Sequence, residues 1–236
     1  MKLTKLASVA AICFSAAASA DVTWTYLGTG LSQNAGLNYG ASRAFDARAV
    51  SSFSNINVGQ HLFEVWGTTR TTFCVQLFEG VTVGGGYNFA QVDVSAVPDA
   101  PPAPGPMGVI KASLMQDLYR RYYAGVDSSL EASAFQLAIY EISHENLTAS
   151  TAEGALAQLN LSLGAFQTSA SSDAFATAAA MLASLGNGGF GSVGANLRGL
   201  THPTAQDQLL LVPIGAPAIL AGLGLLGVGI MRRRLR

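Results

Sequence analysis

Cysteine, lysine and charge are all scarce in this 236-residue chain, and each shortage excludes something. Of the two cysteines, Cys13 falls in an N-terminal apolar stretch that reads as the core of a cleaved export signal. The mature protein therefore keeps one thiol, Cys74, and no intramolecular disulfide. Charged residues make up 11% of the chain, and the formal net charge of -1 hides an uneven distribution. Six of the thirteen Lys/Arg (Lys2, Lys5, Arg232, Arg233, Arg234 and Arg236) lie in the terminal segments, leaving 21–208 with seven basic against fourteen acidic residues, a net of -7. Such a surface repels a phosphate backbone, which argues against nucleic acid as a partner. Lys111 is the sole lysine in that span, against six arginines. No Gly-x-Ser-x-Gly, phosphate loop or dinucleotide fingerprint occurs, and a secreted hydrolase would have no recognisable nucleophile and base. His61 and His202 have no Cys, His or acid at metal-ligand spacing, so neither a zinc site nor another cofactor is expected. No internal repeat is evident.

What the chain does have is apolar sequence at both ends. Residues 1–20 carry Lys2 and Lys5 ahead of an apolar stretch and the small-residue site Ala18, Ser19, Ala20, the pattern of a secretory signal cleaved after Ala20. Residues 209–231 are almost uninterruptedly apolar, and 212–231 is the expected transmembrane segment. A bilayer-spanning helix needs roughly 20 such residues at about 1.5 Å rise each. The arginines that follow hold their end on the cytoplasmic side, which makes 21–208 an extracytoplasmic domain of an inner-membrane-anchored precursor. Val212 and Pro213, then Ala216 and Pro217, a Gly/Leu-rich span and a terminal Arg cluster complete the tail. This tail resembles the PEP-CTERM class of sorting signals, in particular the VPLPA-CTERM variants that are substrates of exosortase-type transpeptidases. Ile214 and Gly215 stand where Leu-Pro is usual. The resemblance implies a sorting motif made of Val212, Pro213, Arg232, Arg233 and Arg234. It also implies tail removal at that motif and release or re-anchoring at the cell surface, often with exopolysaccharide.

Between the ends, Thr, Val, Phe, Tyr and Gly dominate up to residue 97 in short alternating runs such as VTWTY (22–26), LFEVW (62–66) and TTFCVQLF (71–78), which predict strands. Alternation places Phe73, Val75 and Leu77 on the apolar, core-facing side and Cys74 on the opposite face. The proline-rich VPDAPPAPGP (97–106) marks a change of architecture. Apolar residues at helical spacing predict a helix over 107–123. Ser128 and Glu131 form a capping-box pattern that opens a second helix reaching about Ser143. Residues 149–166 are ambiguous, and DAFATAAAMLAS (173–184) predicts a third helix with Ser172 as cap and Gly186 as stop, followed by a glycine-rich loop to 194. The expected fold is α+β: an N-terminal β-sandwich or barrel with an inserted helical subdomain, plus a C-terminal transmembrane helix.

Two local sequences carry candidate chemistry: Phe73-Cys74-Val75 on a strand and Phe135-Gln136-Leu137-Ala138-Ile139-Tyr140 on a helix. Over about 71–142 they resemble the bacterial thioester domains, which pair an aromatic-Cys-aliphatic strand with a Gln-x-Ala-Ile-Trp helix; Tyr140 stands here in place of Trp. The resemblance implies that Cys74 and Gln136 condense with loss of ammonia to an internal Cys-Gln thioester. The residue types suit that reaction, because a thiolate is the nucleophile and only enforced proximity makes an amide a reachable electrophile. Aromatic neighbours Phe73, Phe135 and Tyr140 would hold water away, and a near-absence of lysine leaves few internal amines to consume the bond. Glu141, His144 and Glu145 follow at the end of the same helix; His144 is expected at the surface, interacting with the helix dipole, the alternative being activation of an incoming nucleophile or an acyl relay.

The sequence thus points to an exported cell-surface or extracellular-matrix protein that is no turnover enzyme. Its partners would be an exosortase-type transpeptidase, the membrane, and an amine or hydroxyl on a surface target or exopolysaccharide. The alternative is a non-reactive structural protein of the exopolysaccharide matrix with Cys74 reduced and buried.

Overall fold

A computed structural model describes residues 22–40, 51–102 and 104–212. The expected signal segment 1–20 and everything after Val212 lie outside the described residues, and so does nearly all of the expected transmembrane segment. Among the described residues no helix is long and apolar enough to cross a membrane.

The chain opens with two long antiparallel strands, β1 (Trp24–Tyr39) and β2 (Ser51–Val65), in which β-branched and aromatic residues alternate with polar ones. β2 turns into β3 (Thr68–Cys74) through the two-residue loop of Trp66 and Gly67, at φ 50° and 69°. Positive φ at both positions matches the right-handed twist of the flanking strands, which is why so tight a turn is possible. Two short strands follow, β4 (Gly86–Tyr87) and β5 (Ala90–Val92), then helices α1 (Gly108–Tyr122), α2 (Ser129–His144) and α3 (Ala152–Leu156). Strand β6 (Phe166–Thr168), helix α4 (Ser172–Ser184) and strands β7 (Leu197–Thr201) and β8 (Gln208–Leu211) complete the fold.

All eight strands belong to one curled antiparallel sheet, a half-barrel ordered β4-β1-β2-β3-β8-β7-β5, with β6 on the β1 edge. The α+β class is as expected, but the sandwich or closed barrel built from N-terminal strands is replaced by an open sheet that C-terminal strands complete. The reason is visible in Leu209, Leu210 and Leu211. A short apolar run reads the same whether it enters a bilayer or a core, and these three residues pair with β3 and β7 inside the sheet. The expected domain boundary after residue 208 therefore falls within β8.

Both faces of the sheet are covered. Phe73 and Leu209, paired across β3 and β8, face the helices in the main core. Thr72 and Leu210 lie on the other face, where Trp24, Tyr26, Phe63, Val65, Phe89 and Leu200 form a second, smaller core. Ser128 and Glu131 make the expected capping box: the Glu131 N–H donates to Ser128 Oγ at 3.2 Å, and the Glu131 carboxylate accepts from the Ser128 N–H at 3.2 Å. The cap of α4 is Ser171, which accepts from the Ala174 N–H, and Ser172 is the first helical residue. Asp117, buried on α1, gathers the glycine-rich loop. Its carboxylate accepts from the Gly186 and Gly191 amides, both at 2.9 Å, and from the Arg120 and Arg121 guanidinium groups at 2.8 and 2.7 Å. Those four partners hold its carboxyl at about 2, against the opposing effect of burial.

Candidate functional site at the end of strand β3

Helix α2 is wedged where β2 and β3 part. β2 pairs with β3 only as far as His61 and Thr72, so beyond that rung each strand has an open edge. Backbone groups buried without partners are costly, and side chains of α2 supply them. Ser133 Oγ donates to the Val58 carbonyl of β2 at 2.8 Å. On β3, the Cys74 N–H donates to Gln136 Oε1 at 3.1 Å and Gln136 Nε2 donates to the Cys74 carbonyl at 2.8 Å. The Gln136 carboxamide thus stands in for a missing strand residue. On the opposite edge of β3, Cys74 is opposite Gln208 and the Val75 N–H donates to the Asp207 carbonyl, so Cys74 is held from both sides.

The same clamp brings the two sequence-predicted residues together across 62 positions of chain. The carboxamide carbon lies between two hydrogen bonds to the very residue that carries the thiol, and its oxygen is polarised by the Cys74 N–H. One helical turn further along α2, the Tyr140 hydroxyl sits 2.6 Å from Cys74 Sγ. Cys74 and Tyr140 are each 2% exposed and Gln136 is fully buried. Burial pushes the Cys74 thiol up to about 12, with Tyr140 and the backbone only partly opposing it, and burial likewise drives Tyr140 well above its ordinary value. Both groups are protonated at neutral pH. Sulfur reacts as the thiolate, so any attack on the carboxamide requires the thiol to give up its proton, and the Tyr140 hydroxyl is the hydrogen-bonding group at the sulfur.

The surrounding wall is aromatic. Phe73 and Phe135, both fully buried, meet edge to face at 4.9 Å between ring centres, and Tyr119 meets Phe135 at 5.0 Å. Each such pair contributes about 0.5–1.5 kcal/mol beyond its buried area. Alternation predicts Cys74 on the face away from the core, but the residue is buried in the main core with Phe73 and Val75, because α2 wedges in beside β3 and sets Tyr140 against the thiol.

His144 departs from its expected surface position. It is fully buried and packs against Tyr39, Tyr140 and Phe166; its Nδ1 contacts Ser143 Oγ at 2.8 Å and the Tyr140 carbonyl at 3.2 Å. Burial lowers it to about 3 and keeps it neutral. The acids beside it, Glu141 and Glu145, and the sole lysine of 21–208 are buried with it, which their sequence positions did not announce. Lys111 Nζ donates to the Ser143 carbonyl at 2.8 Å, Glu141 accepts from the Asn160 N–H at 2.6 Å, and Glu145 accepts from the Ala165 N–H at 2.9 Å, all of them buried. Burial lowers Lys111 to about 8, with Glu145 and Glu141 opposing, and raises Glu141 to about 8. One signal was present: Lys111 shares the helical spacing of Met115 and Leu118, the buried stripe of α1.

Of the expected sorting residues, Val212 is half-buried at the end of β8, where its N–H donates to the Asn196 carbonyl at 2.7 Å. Pro213, Arg232, Arg233 and Arg234 lie outside the described residues. No family model matches the chain, and neither a curated protein nor a solved structure matches it.

Proposed function

We propose that this is an exported surface protein that acts once, as a covalent adhesive, through a thioester between Cys74 and Gln136. The supporting observation is the clamp: the Gln136 carboxamide is fixed by two hydrogen bonds to Cys74 while the Cys74 thiol meets Tyr140. Cys74 Sγ attacks the carboxamide carbon and the carbon–nitrogen bond breaks. The thiol proton travels by way of the Tyr140 hydroxyl to the leaving nitrogen, which departs as ammonia. Fixing the carboxamide on the backbone of the residue that carries the thiol supplies the proximity that an unreactive amide needs, and the Cys74 N–H is placed to stabilise negative charge developing on Oε1. The product is an acyl group stored in a dry pocket until an amine or hydroxyl on a target surface attacks the carbonyl, forming an amide or ester and restoring the thiol. The tail after Val212 is processed by an exosortase-type transpeptidase, so the domain is membrane-anchored first and delivered to the cell surface or matrix afterwards.

A structural reading competes, and one observation favours it. Gln136 completes the open edge of β3 whether or not any bond forms, and the thiol is held protonated. In that case the protein is a non-reactive component of the exopolysaccharide matrix. Methylamine separates the two. The adhesive adds one methylamine at Gln136 and exposes one titratable thiol at Cys74, whereas Cys74→Ala and Gln136→Ala proteins do neither. A folded wild-type protein that takes up no methylamine and, once denatured without amine, yields one titratable thiol is the structural component. A mature C-terminus that still carries Arg236 would rule out processing of the tail.

A further inference from the structure

The tip of the β2–β3 hairpin carries a side chain that local rules disfavour there. Trp66 is 83% exposed and adopts φ 50°, a left-handed conformation in which Asn or Gly is the ordinary choice and a bulky residue is strained. The segment from Val65 to Thr69 is uncharged, and Trp66, Gly67, Thr68 and Thr69 are all exposed. The chain also enters and leaves the domain at this end of the sheet. Thr25 is level with Glu64, so Val22 emerges beside the hairpin end. Thr72 is level with Leu210, so β8 runs toward the hairpin and Val212 reaches the level of Arg70. Directly after Val212 the sequence is apolar to Met231 and then basic.

We propose that the Trp66 hairpin tip is a bilayer contact that seats the domain on the membrane surface while its tail is in place. This rests on the reading of 212–231 as a membrane span. An indole at the end of a rigid hairpin suits the interfacial zone, where an apolar ring and a polar N–H are both satisfied. The absence of charge at the tip removes the desolvation cost that would oppose insertion. The strain at Trp66 then has a function, because the two-residue turn presents the ring to solvent at the hairpin end. Cys74 lies six residues along β3 from Thr68, or roughly 20 Å at 3.3 Å per residue. Seating the tip on the membrane therefore holds the Cys74–Gln136 site away from it, toward a target surface.

The test uses the full chain mixed with vesicles of phosphatidylethanolamine and phosphatidylglycerol whose acyl chains are brominated near the carbonyl. Trp24 is buried and serves as the unquenched internal reference. The expected result is flotation with the vesicles, a blue shift of the exposed indole and loss of most of its emission; both optical changes are absent in Trp66→Asn, which still floats. Flotation with unquenched Trp66 emission overturns the contact and leaves the membrane reading standing. Protein that remains at the bottom of the gradient overturns both. Emission that responds to soluble oligosaccharide and not to lipid also overturns it, since the indole would then be a sugar-stacking surface.

Discussion

Replacing Cys74 by Ala separates a covalent clamp from a hydrogen-bonded one by its cost in stability. Cys74 and Gln136 are 62 positions apart, and a link closing a loop of that length removes about 4 kcal/mol of unfolded-chain freedom by the relation used for disulfides. The thiol's own packing is worth far less, on the order of 1 kcal/mol for the lost sulfur and the small cavity it leaves. Cys74→Ala should therefore cost about 5 kcal/mol if the acyl link is present and about 1 kcal/mol if it is not. Urea unfolding followed by circular dichroism reads the difference, and methylamine provides an internal control. Treating wild type should remove about 4 kcal/mol of stability while leaving Cys74→Ala unchanged. Identical urea midpoints for treated and untreated wild type, together with a loss of only about 1 kcal/mol in the variant, would refute the covalent link.

Three further outcomes follow from the packing. Asp117→Ala strips partners from two loop amides and two guanidinium groups and should cost about 3–5 kcal/mol, with faster hydrogen exchange confined to residues 186–191 as the local readout. The buried Glu141 carboxyl is raised to about 8, so its contribution is fully present below its unfolded value near 4.5 and is lost as pH rises through 8. Relative to wild type, Glu141→Gln should become progressively more stable across that window and level off above it; a pH-independent difference would show that Glu141 does not titrate in the fold. Trp66→Asn should raise the unfolding free energy by about 1 kcal/mol by relieving the left-handed backbone, read as a higher urea midpoint, and a loss of stability would contradict the strain argument.

The helices were the most legible part of the fold, because their signals are local. The Ser128/Glu131 box and the apolar stripe of Leu114, Leu118 and Tyr122 specify α1 and α2 within a residue or two. The sheet was legible strand by strand but not as a whole. Nothing near Thr72 announces that its neighbour is Leu210, and a leucine run beside an apolar tail reads as part of that tail until pairing is known. The Cys74–Gln136 pair was found from its flanking motifs, whereas the reason for its contact, the parting of β2 from β3, is a long-range event with no local mark. His144 was misread for a similar cause. A histidine at a helix end is usually solvated, and the placement of Tyr39 and Phe166 around it depends on strands far away in sequence.

The most direct measurement is the intact mass of the wild-type protein, denatured without reductant or amine. Condensation of Cys74 with Gln136 predicts a mass about 17 Da below that calculated for the mature chain, and no deficit in Cys74→Ala or Gln136→Ala. A well-folded wild-type protein that carries its full calculated mass would contradict the account.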